Sequence, residues 1–342
     1  YTFFFDNSGV MRYEMVLEGY HSDRFLWDEK DFLITCVGSD KIAKFNRFGQ
    51  VVQLYELGDF ELHHDINWGP EGTILALATD TKGETVEDQV IQIDLDTGEV
   101  TRVVDFTETL DSYFENTRPV TMTDPFFWSE GEWDWLHLNS IQYVEEDNAI
   151  IVSSRETSTI IKATLEEPEI LWLIGNPEFW EGTEYEDLSL TQEGDFLFQY
   201  GQHDVELVRD DSLPDGQYYL RFYNNNYYAM SSRDDFAVEV PEEVSTSSTV
   251  EDGANSYVYY YLVDENEGTF TLTDSFSLPY SSLVSNVQDM GDTYVVNNGV
   301  HQCFEEYDKE GNMIRQFQYT CTANGYRVMK GNFEGYWFLS QK

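Results

Sequence analysis

Short runs of Val, Ile, Tyr, Phe and Leu, broken every few residues by acidic, Asn or Gly turns, fill the chain, and helical periodicity is hard to find anywhere. That is the pattern of an all-β protein. One unit recurs: a strand, an acidic or glycine turn, then another strand. It stands at 3–15 (FFFDNSGVMRYEM), 42–55 (IAKFNRFGQVVQLY), 90–104 (VIQIDLDTGEVTRVV), 160–173, 257–276 and 303–317, which makes six outer hairpins. Five inner hairpins are expected at 24–37, 65–78, 137–154, 204–223 and 283–297. A sixth, at 326–339, is left to pair with the outer hairpin at the opposite end of the chain. A sheet shared between the two chain ends is how a propeller closes, and closure removes free sheet edges. The predicted fold is therefore a six-bladed β-propeller of four-stranded antiparallel blades, with residues 1–342 as one domain. Two packed sandwiches would not explain the split repeat. Residues 105–134 and 174–202 interrupt the period and read as long loops over a mouth of the propeller. Residues 231–256, rich in Ser, Glu and Asp, read as an exposed mobile loop without chemistry.

Composition supports a large core and narrows the partners. Aromatic residues make up 16% of 342 residues, so high charge here does not mean disorder. Nineteen basic against 65 acidic residues give a formal net charge of −46. Such a surface repels nucleic acid and anionic membranes, which excludes nucleic-acid binding, and a cation inside it is expected to hold a specific anion. No apolar run approaches membrane-spanning length. Of Cys36, Cys303 and Cys321, the last two are placed to pair across neighbouring strands, but three cysteines decide little about compartment.

The chemistry concentrates at the heads of the inner hairpins. His64, His137 and His203 open three of them, in HDINW, HLNSI and HDVEL, and are expected to converge on one end of the central channel. In 134–162, His137 and Asn139 begin one strand while Arg155 ends the next, so the three should crowd one rim. His21 lies at a similar offset before the first inner hairpin. His63 should point to the face opposite His64, and His301 reads as a loop residue. Three imidazoles could hold a catalytic zinc ion, although Arg155 would be repelled by a dication and no inner-strand carboxylate obviously completes the shell. The other option is transfer of an anionic group, with one imidazole as nucleophile and the remaining donors on the oxygens of the moving group. A metal-dependent propeller hydrolase or lactonase, and a non-catalytic acidic binding propeller, are the competing classes.

These residues resemble a known family, the bacterial arylsulfate sulfotransferases that work without a nucleotide sulfate donor. The matching pieces are HHDINWGPEGTILAL (63–77), DWLHLNSIQY with IIVSSR (134–155), GQHDVEL (201–207) and the opening DNSGVMRY (6–13). The resemblance implies a propeller with its active site in the central channel and no cofactor or metal. It implies His203 as the nucleophile that becomes a transient sulfohistidine, with His64, His137 and Arg155 binding the sulfate oxygens and Asn139 beside the substrate. The reaction would be ping-pong, from a phenolic sulfate ester to an acceptor phenol. The resemblance also implies a secreted protein, extracellular or periplasmic. The N-terminal β-rich domain that commonly serves family members in homodimer contacts has no counterpart in these residues, so a homodimer is one assembly left open.

Overall fold

The hydrophobic runs form strands where the pattern places them. The computed structural model describes residues 2–15, 24–27, 32–122, 130–233, 238–249 and 253–337. His21, Phe126, Phe127 and Trp128 lie outside them. A two-stranded sheet of β1 (Thr2–Phe5) and β2 (Met11–Met15) comes first, followed by blades whose strands run in chain order across each sheet. Blade one holds β3 (Phe25–Trp27), β4 (Phe32–Gly38), β5 (Lys41–Asn46) and β6 (Val51–Glu56). Blade two holds β7 (Phe60–Trp68), β8 (Thr73–Asp80), β9 (Gln89–Asp94) and β10 (Val100–Asp105). Two short helical turns, α1 (Phe106–Thr109) and α2 (Asp111–Phe114), then begin the first insertion. Blade three holds β11 (Leu138–Val144), β12 (Ala149–Ser154), β13 (Thr159–Thr164) and β14 (Ile170–Ile174). In blade four a short strand, β15 (Thr191–Glu193), adds in parallel to the outer edge of β16 (His203–Val208), β17 (Gln217–Asn224), β18 (Asn255–Asp264) and β19 (Thr269–Pro279). Blade five holds β20 (Asn286–Asp289), β21 (Thr293–Asn298), β22 (Cys303–Asp308) and β23 (Met313–Gln318).

The middle strands are buried on both faces because neighbouring blades cover them. All of AIIVSS in β12 is buried, as is nearly all of TILALATD in β8, and continuous apolar runs of this kind mark two-sided burial. The core is a series of wedges between blades, such as Ile151, Ile160 and Trp172 of blade three against Leu220, Tyr259 and Tyr261 of blade four. Burying each aliphatic side chain there contributes about 1.5–3 kcal/mol. The first insertion joins the largest wedge through Phe106 and Tyr113, beside Trp135 and against Trp180 of the second.

The propeller has five four-stranded blades rather than the six expected. The outer hairpin of the sixth repeat is present as β1–β2, but the described residues of 326–339 form no strand. The two ends still meet in the gap between blades five and one. Phe4 packs on Phe25 and Phe333, and Phe5 on Phe304. The C-terminal segment is bonded to β20 by side-chain amides instead of a backbone ladder. Asn286 bonds the N–H and carbonyl of Val328 (2.8 and 2.9 Å), and Gln288 does the same for Lys330 (2.6 and 2.9 Å). One backbone bond, from Ser285 N–H to the Tyr326 carbonyl (3.1 Å), joins them ahead of β20, and beyond it the side-chain amides take up the backbone groups of the segment.

Two smaller expectations are also corrected. The region 231–256 is not simply exposed: Ser231 and Ser232 are buried, and Val238 and Val244 join the core. Cys36, Cys303 and Cys321 are free thiols, two buried and Cys321 exposed. No helix among the described residues is long and apolar enough to cross a membrane.

Candidate functional site

The inner strands carry the site, and bulges at their heads aim its side chains. In β7, Leu62 pairs with Ala78 and Ile66 with Ala76, so His63, His64 and Asp65 face a single partner residue. His64 takes a left-handed backbone there (φ 50°). Asn139 is the extra residue in β11, and His137 just before it has φ 52°. β16 bulges after His203, with Asp204 at φ 57°. Left-handed backbone outside glycine is uncommon, and such residues gather where the surrounding structure imposes them. The bulge cancels strand alternation, so His63 turns toward the same carboxylate as His64 instead of the opposite face.

Anchors between blades define the true register. Ile141 N–H donates to Asp65 (3.0 Å), Val205 N–H to the Ser140 hydroxyl (3.0 Å) and Val287 N–H to Asp204 (3.1 Å). His64, Asn139 and His203 each precede one of these anchors, whereas His137 stands two residues ahead of Asn139. The structure nonetheless brings His64 and His137 together, with ring centroids 4.8 Å apart. Tyr326, from the C-terminal segment, stacks on His64 (5.0 Å, 14°) and meets His203 edge-on at 6.1 Å.

Hydrogen-bond partners assign the protons. His203 Nδ1 lies 3.0 Å from the Gly201 carbonyl and 2.8 Å from Asn225 Oδ1. The Asn225 amide is fixed because its Nδ2 donates to the carbonyls of Ser281 and Val284 (2.8 and 3.0 Å). Two acceptors on one ring nitrogen put the proton there and leave a lone pair on Nε2, which bonds to no described residue. Burial, with the charges of His137, His64 and Arg155 beside it, holds His203 well below the usual imidazole range, against the Asn225 bond, so it is neutral.

His137 is held from both sides. Its Nδ1 lies 2.6 Å from Asp134 and 2.8 Å from Glu87, and its Nε2 accepts from Arg155 NH1 at 2.9 Å. A guanidinium only donates, so the His137 proton sits on Nδ1. Arg155 also reaches Asp134 (3.5 Å) and Glu156 (3.9 Å). Asn139 is fully buried and turned toward β16, donating to the Gln202 carbonyl at 2.8 Å. The Glu156 carboxyl is pushed up to about 7 by burial, which Arg155 opposes and Asp134 reinforces. Its oxygen accepts from Ser232 N–H (2.7 Å) and the Ser231 hydroxyl (3.0 Å).

Glu87 is the largest omission from the sequence reading. Burial pushes its carboxyl up, but the charges of His137, His64 and His63 prevail and hold it well below the usual carboxylate range. His63, His64 and Glu87, and likewise Glu87, Asp134 and His137, offer ligand atoms within 4.8 Å of one another, so carboxylates from outside the inner strands do stand where a cation could be held. Asp134 carried a signal, three residues before His137. Asn225 lies in a buried run of three asparagines at the end of a strand, an unusual composition that could have marked it. Glu87 and Tyr326 carried none. Below the histidines, Arg24 and Arg327 bridge Asp65 and Asp204 in a buried ionic cluster.

Comparison with known proteins gives one family and distant folds. The family model described as Arylsulfotransferase (ASST) matches residues 1–328. No curated protein matches. Among solved structures, a protein named as a 6-phosphogluconolactonase candidate from Bacteroides uniformis is 10% identical, with TM-score 0.48, over 94% of this chain and 78% of that one. Its counterpart from Bacteroides fragilis is 12% identical, with TM-score 0.47 over the same shares. The WD40 domain of Toxoplasma gondii coronin is 8% identical, with TM-score 0.39, over 85% of this chain and 56% of that one. These likenesses are too distant to bear on chemistry.

Proposed function

The chain belongs to the arylsulfotransferase (ASST) family, and from that premise we propose that it moves a sulfuryl group from a phenolic sulfate ester to an acceptor phenol, in two displacements through a sulfohistidine on His203. The observation that carries this reading is the fixed tautomer of His203. Its Nδ1–H is held by Gly201 and Asn225, which leaves the Nε2 lone pair for attack on sulfur.

In the first displacement the N–S bond forms as the S–O bond to the aryl group breaks, and the electron pair leaves on the phenolate oxygen. The Nδ1 proton stays in place, and the positive charge on the sulfated imidazole faces the two acceptor oxygens at Nδ1. Arg155 is assigned to the peripheral oxygens of the group in flight, whose transition state is loose and depends on charge and positioning, while His64, whose Nε2 is bound to Glu87, lines the site beside them. In the second displacement the acceptor phenol gives its proton to His137 Nε2 while its oxygen bonds sulfur. The N–S bond breaks, and its electron pair returns to His203. His137 then passes that proton to a departing phenolate or to water, so the cycle conserves protons. Asp134 on Nδ1 supports His137 in this role, as a carboxylate orients a general-base imidazole and offsets the charge it gains. Asn139 acts by holding the Gln202 carbonyl, and through it the chain ahead of His203. An extracellular or periplasmic setting belongs to the same reading.

A metal-dependent hydrolase is favoured by the carboxylates and imidazoles grouped around Glu87. One assay separates the two. Purified protein with 4-nitrophenyl sulfate, in chelator, should release nitrophenol in a phenol-dependent way, and alkaline quenching, which spares an acid-labile N–S bond, followed by mass spectrometry should show one sulfuryl group on His203. His203→Ala should lose both. Turnover abolished by chelator and restored by a divalent cation would replace this mechanism with the hydrolase. Turnover that survives in His203→Ala would remove the nucleophile.

A further inference from the structure

We propose that Glu87 is a positioning residue that sets the tautomers of His63, His64 and His137 together, through one carboxylate shared by three imidazoles. Its consequence for rate rests on the sulfuryl-transfer reading above, but its consequence for the tautomers does not.

Oε1 of Glu87 lies 3.0 Å from His63 Nδ1, and Oε2 lies 3.0 Å from His64 Nε2 and 2.8 Å from His137 Nδ1. The His64 contact is a hydrogen bond and an ionised carboxylate only accepts, so His64 Nε2 must bear a proton; the contacts to His63 and His137 are ion-pair distances, across which the carboxylate favours a proton on Nδ1. For His63 the assignment closes into a ring. Glu87 N–H donates to the Thr79 hydroxyl (2.9 Å), the hydroxyl faces His63 Nε2 (2.7 Å), and His63 Nδ1 faces Glu87 Oε1 at 3.0 Å. With its own oxygen accepting from Glu87, Thr79 is free to donate to Nε2, which agrees with a bare nitrogen there. His137 agrees independently, because Arg155 already requires its Nε2 to be an acceptor.

The backbone shows that this placement is imposed. Glu87 lies in the connection between β8 and β9 at φ 58°, a conformation that strains a residue with a side chain. Its N–H is bound by Thr79 of β8, and its carbonyl accepts from Leu138 N–H at the head of β11 (3.1 Å). Two neighbouring blades therefore hold the carboxylate behind the imidazoles. There its charge is covered by their N–H groups, and the nitrogens that serve the reaction are the ones turned away from it. For His137 that is Nε2, unprotonated and held by Arg155 NH1, which releases it when the phenol proton arrives. A carboxylate that fixes an imidazole tautomer for catalysis is a known device; here one carboxylate does so for three rings from two blades.

The test uses the full chain with ¹⁵N-labelled histidine, since imidazole nitrogen shifts separate protonated from bare nitrogen without reference to activity. In the parent protein His63 and His137 should appear as Nδ1–H and His64 as Nε2–H. Glu87→Met removes the acceptor at similar length, so His63 and His64 should shift to averaged signals of both tautomers. On 4-nitrophenyl sulfate with phenol, kcat should fall by about 10² with a much smaller change in KM. Glu87→Gln keeps an oxygen for His64 and His137 but turns an NH₂ group to His63; His64 should keep its tautomer while His63 inverts to Nε2–H. Unchanged His63 and His64 tautomers in both variants overturn the proposal, as does an unchanged kcat in Glu87→Met. Should Glu87→Met fail to fold, the His63 inversion in Glu87→Gln decides. A parent protein that does not turn over aryl sulfates would defeat the functional reading, and the nitrogen shifts would still judge Glu87.

Discussion

The position of a single proton governs most of what this site can do. Asn225 and Gly201 place it on His203 Nδ1, and Asp134 with Glu87 places it on His137 Nδ1. The nucleophile and the base thus each have a defined lone pair. Glu156 is different, because its proton is exchanged with stability. Its folded carboxyl is raised from the model-peptide value of 4.5 to about 7, chiefly by burial. A raised carboxyl contributes stability that is complete below the unfolded value and is lost as pH climbs through the folded one. Between about pH 4.5 and 7 the fold should therefore lose up to about 3 kcal/mol from this residue. Glu156→Gln keeps an acceptor for Ser231 and Ser232 and removes the titration. It should melt roughly 3–6 °C above the parent at pH 8, and the gap should close toward pH 4.5. Melting curves that stay parallel across that range would show that Glu156 does not carry this dependence.

At the scale of elements, the strands were legible and their exact offsets were not. Alternating apolar residues located all six outer hairpins and five inner ones, because those positions face neighbouring blades and must be apolar. The bulges at His64, Asn139 and Asp204 are set by bonds between blades, from Asp65 to Ile141, Ser140 to Val205 and Asp204 to Val287. Nothing local to HDINW or HLNSI announces them, so His63 and His137 were each expected in the wrong register. The site histidines could be found in the sequence because they lie on or beside inner strands, His64 within β7, His137 just before β11 and His203 at the start of β16. Glu87 could not, since a connecting loop brings it in from the far side of β8. The C-terminal segment misled for a related reason: its apolar residues fit a strand, but Asn286 and Gln288 take up its backbone groups. That segment also delivers Tyr326 to His64 and Arg327 to the axis, where the guanidinium lies 2.6 Å from Asp65 and 3.2 Å from Asp204. Removing one member of a buried ion cluster leaves the others uncompensated. Arg327→Met should cost about 3–5 kcal/mol in chemical denaturation. It should also expose the C-terminal segment to protease before the blades are cut. A variant with parent stability and unchanged cleavage order would mean that the segment is held by its amide contacts alone.

At the scale of the whole molecule, the charge of −46 lies almost entirely on the surface, because among the described residues buried cations and buried carboxylates nearly offset one another. Arg24, Arg155, Lys162, Arg221 and Arg327 are buried in ion pairs, so they cannot relieve repulsion among the exposed carboxylates. Two effects of salt then oppose each other. Screening weakens exposed pairs such as Arg12–Asp6 and Arg102–Asp80, each worth only about 0–1 kcal/mol. It also weakens the repulsion among many like charges, which acts against the compact state. With 65 acidic residues against 19 basic ones, repulsion dominates, and the molecule should be more stable in salt. The screening length falls from about 30 Å at 0.01 M to about 3 Å at 1 M, so most of the gain should arrive below molar concentration. The same field opposes an anionic sulfate ester as it approaches, so kcat/KM should rise with salt while kcat changes little. Melting temperature and kcat/KM measured across a sodium chloride series test both at once. A melting temperature that falls as salt is added would mean that exposed ion pairs outweigh the repulsion. A rise in melting temperature with kcat/KM unchanged would mean that the field does not extend to the path the substrate takes.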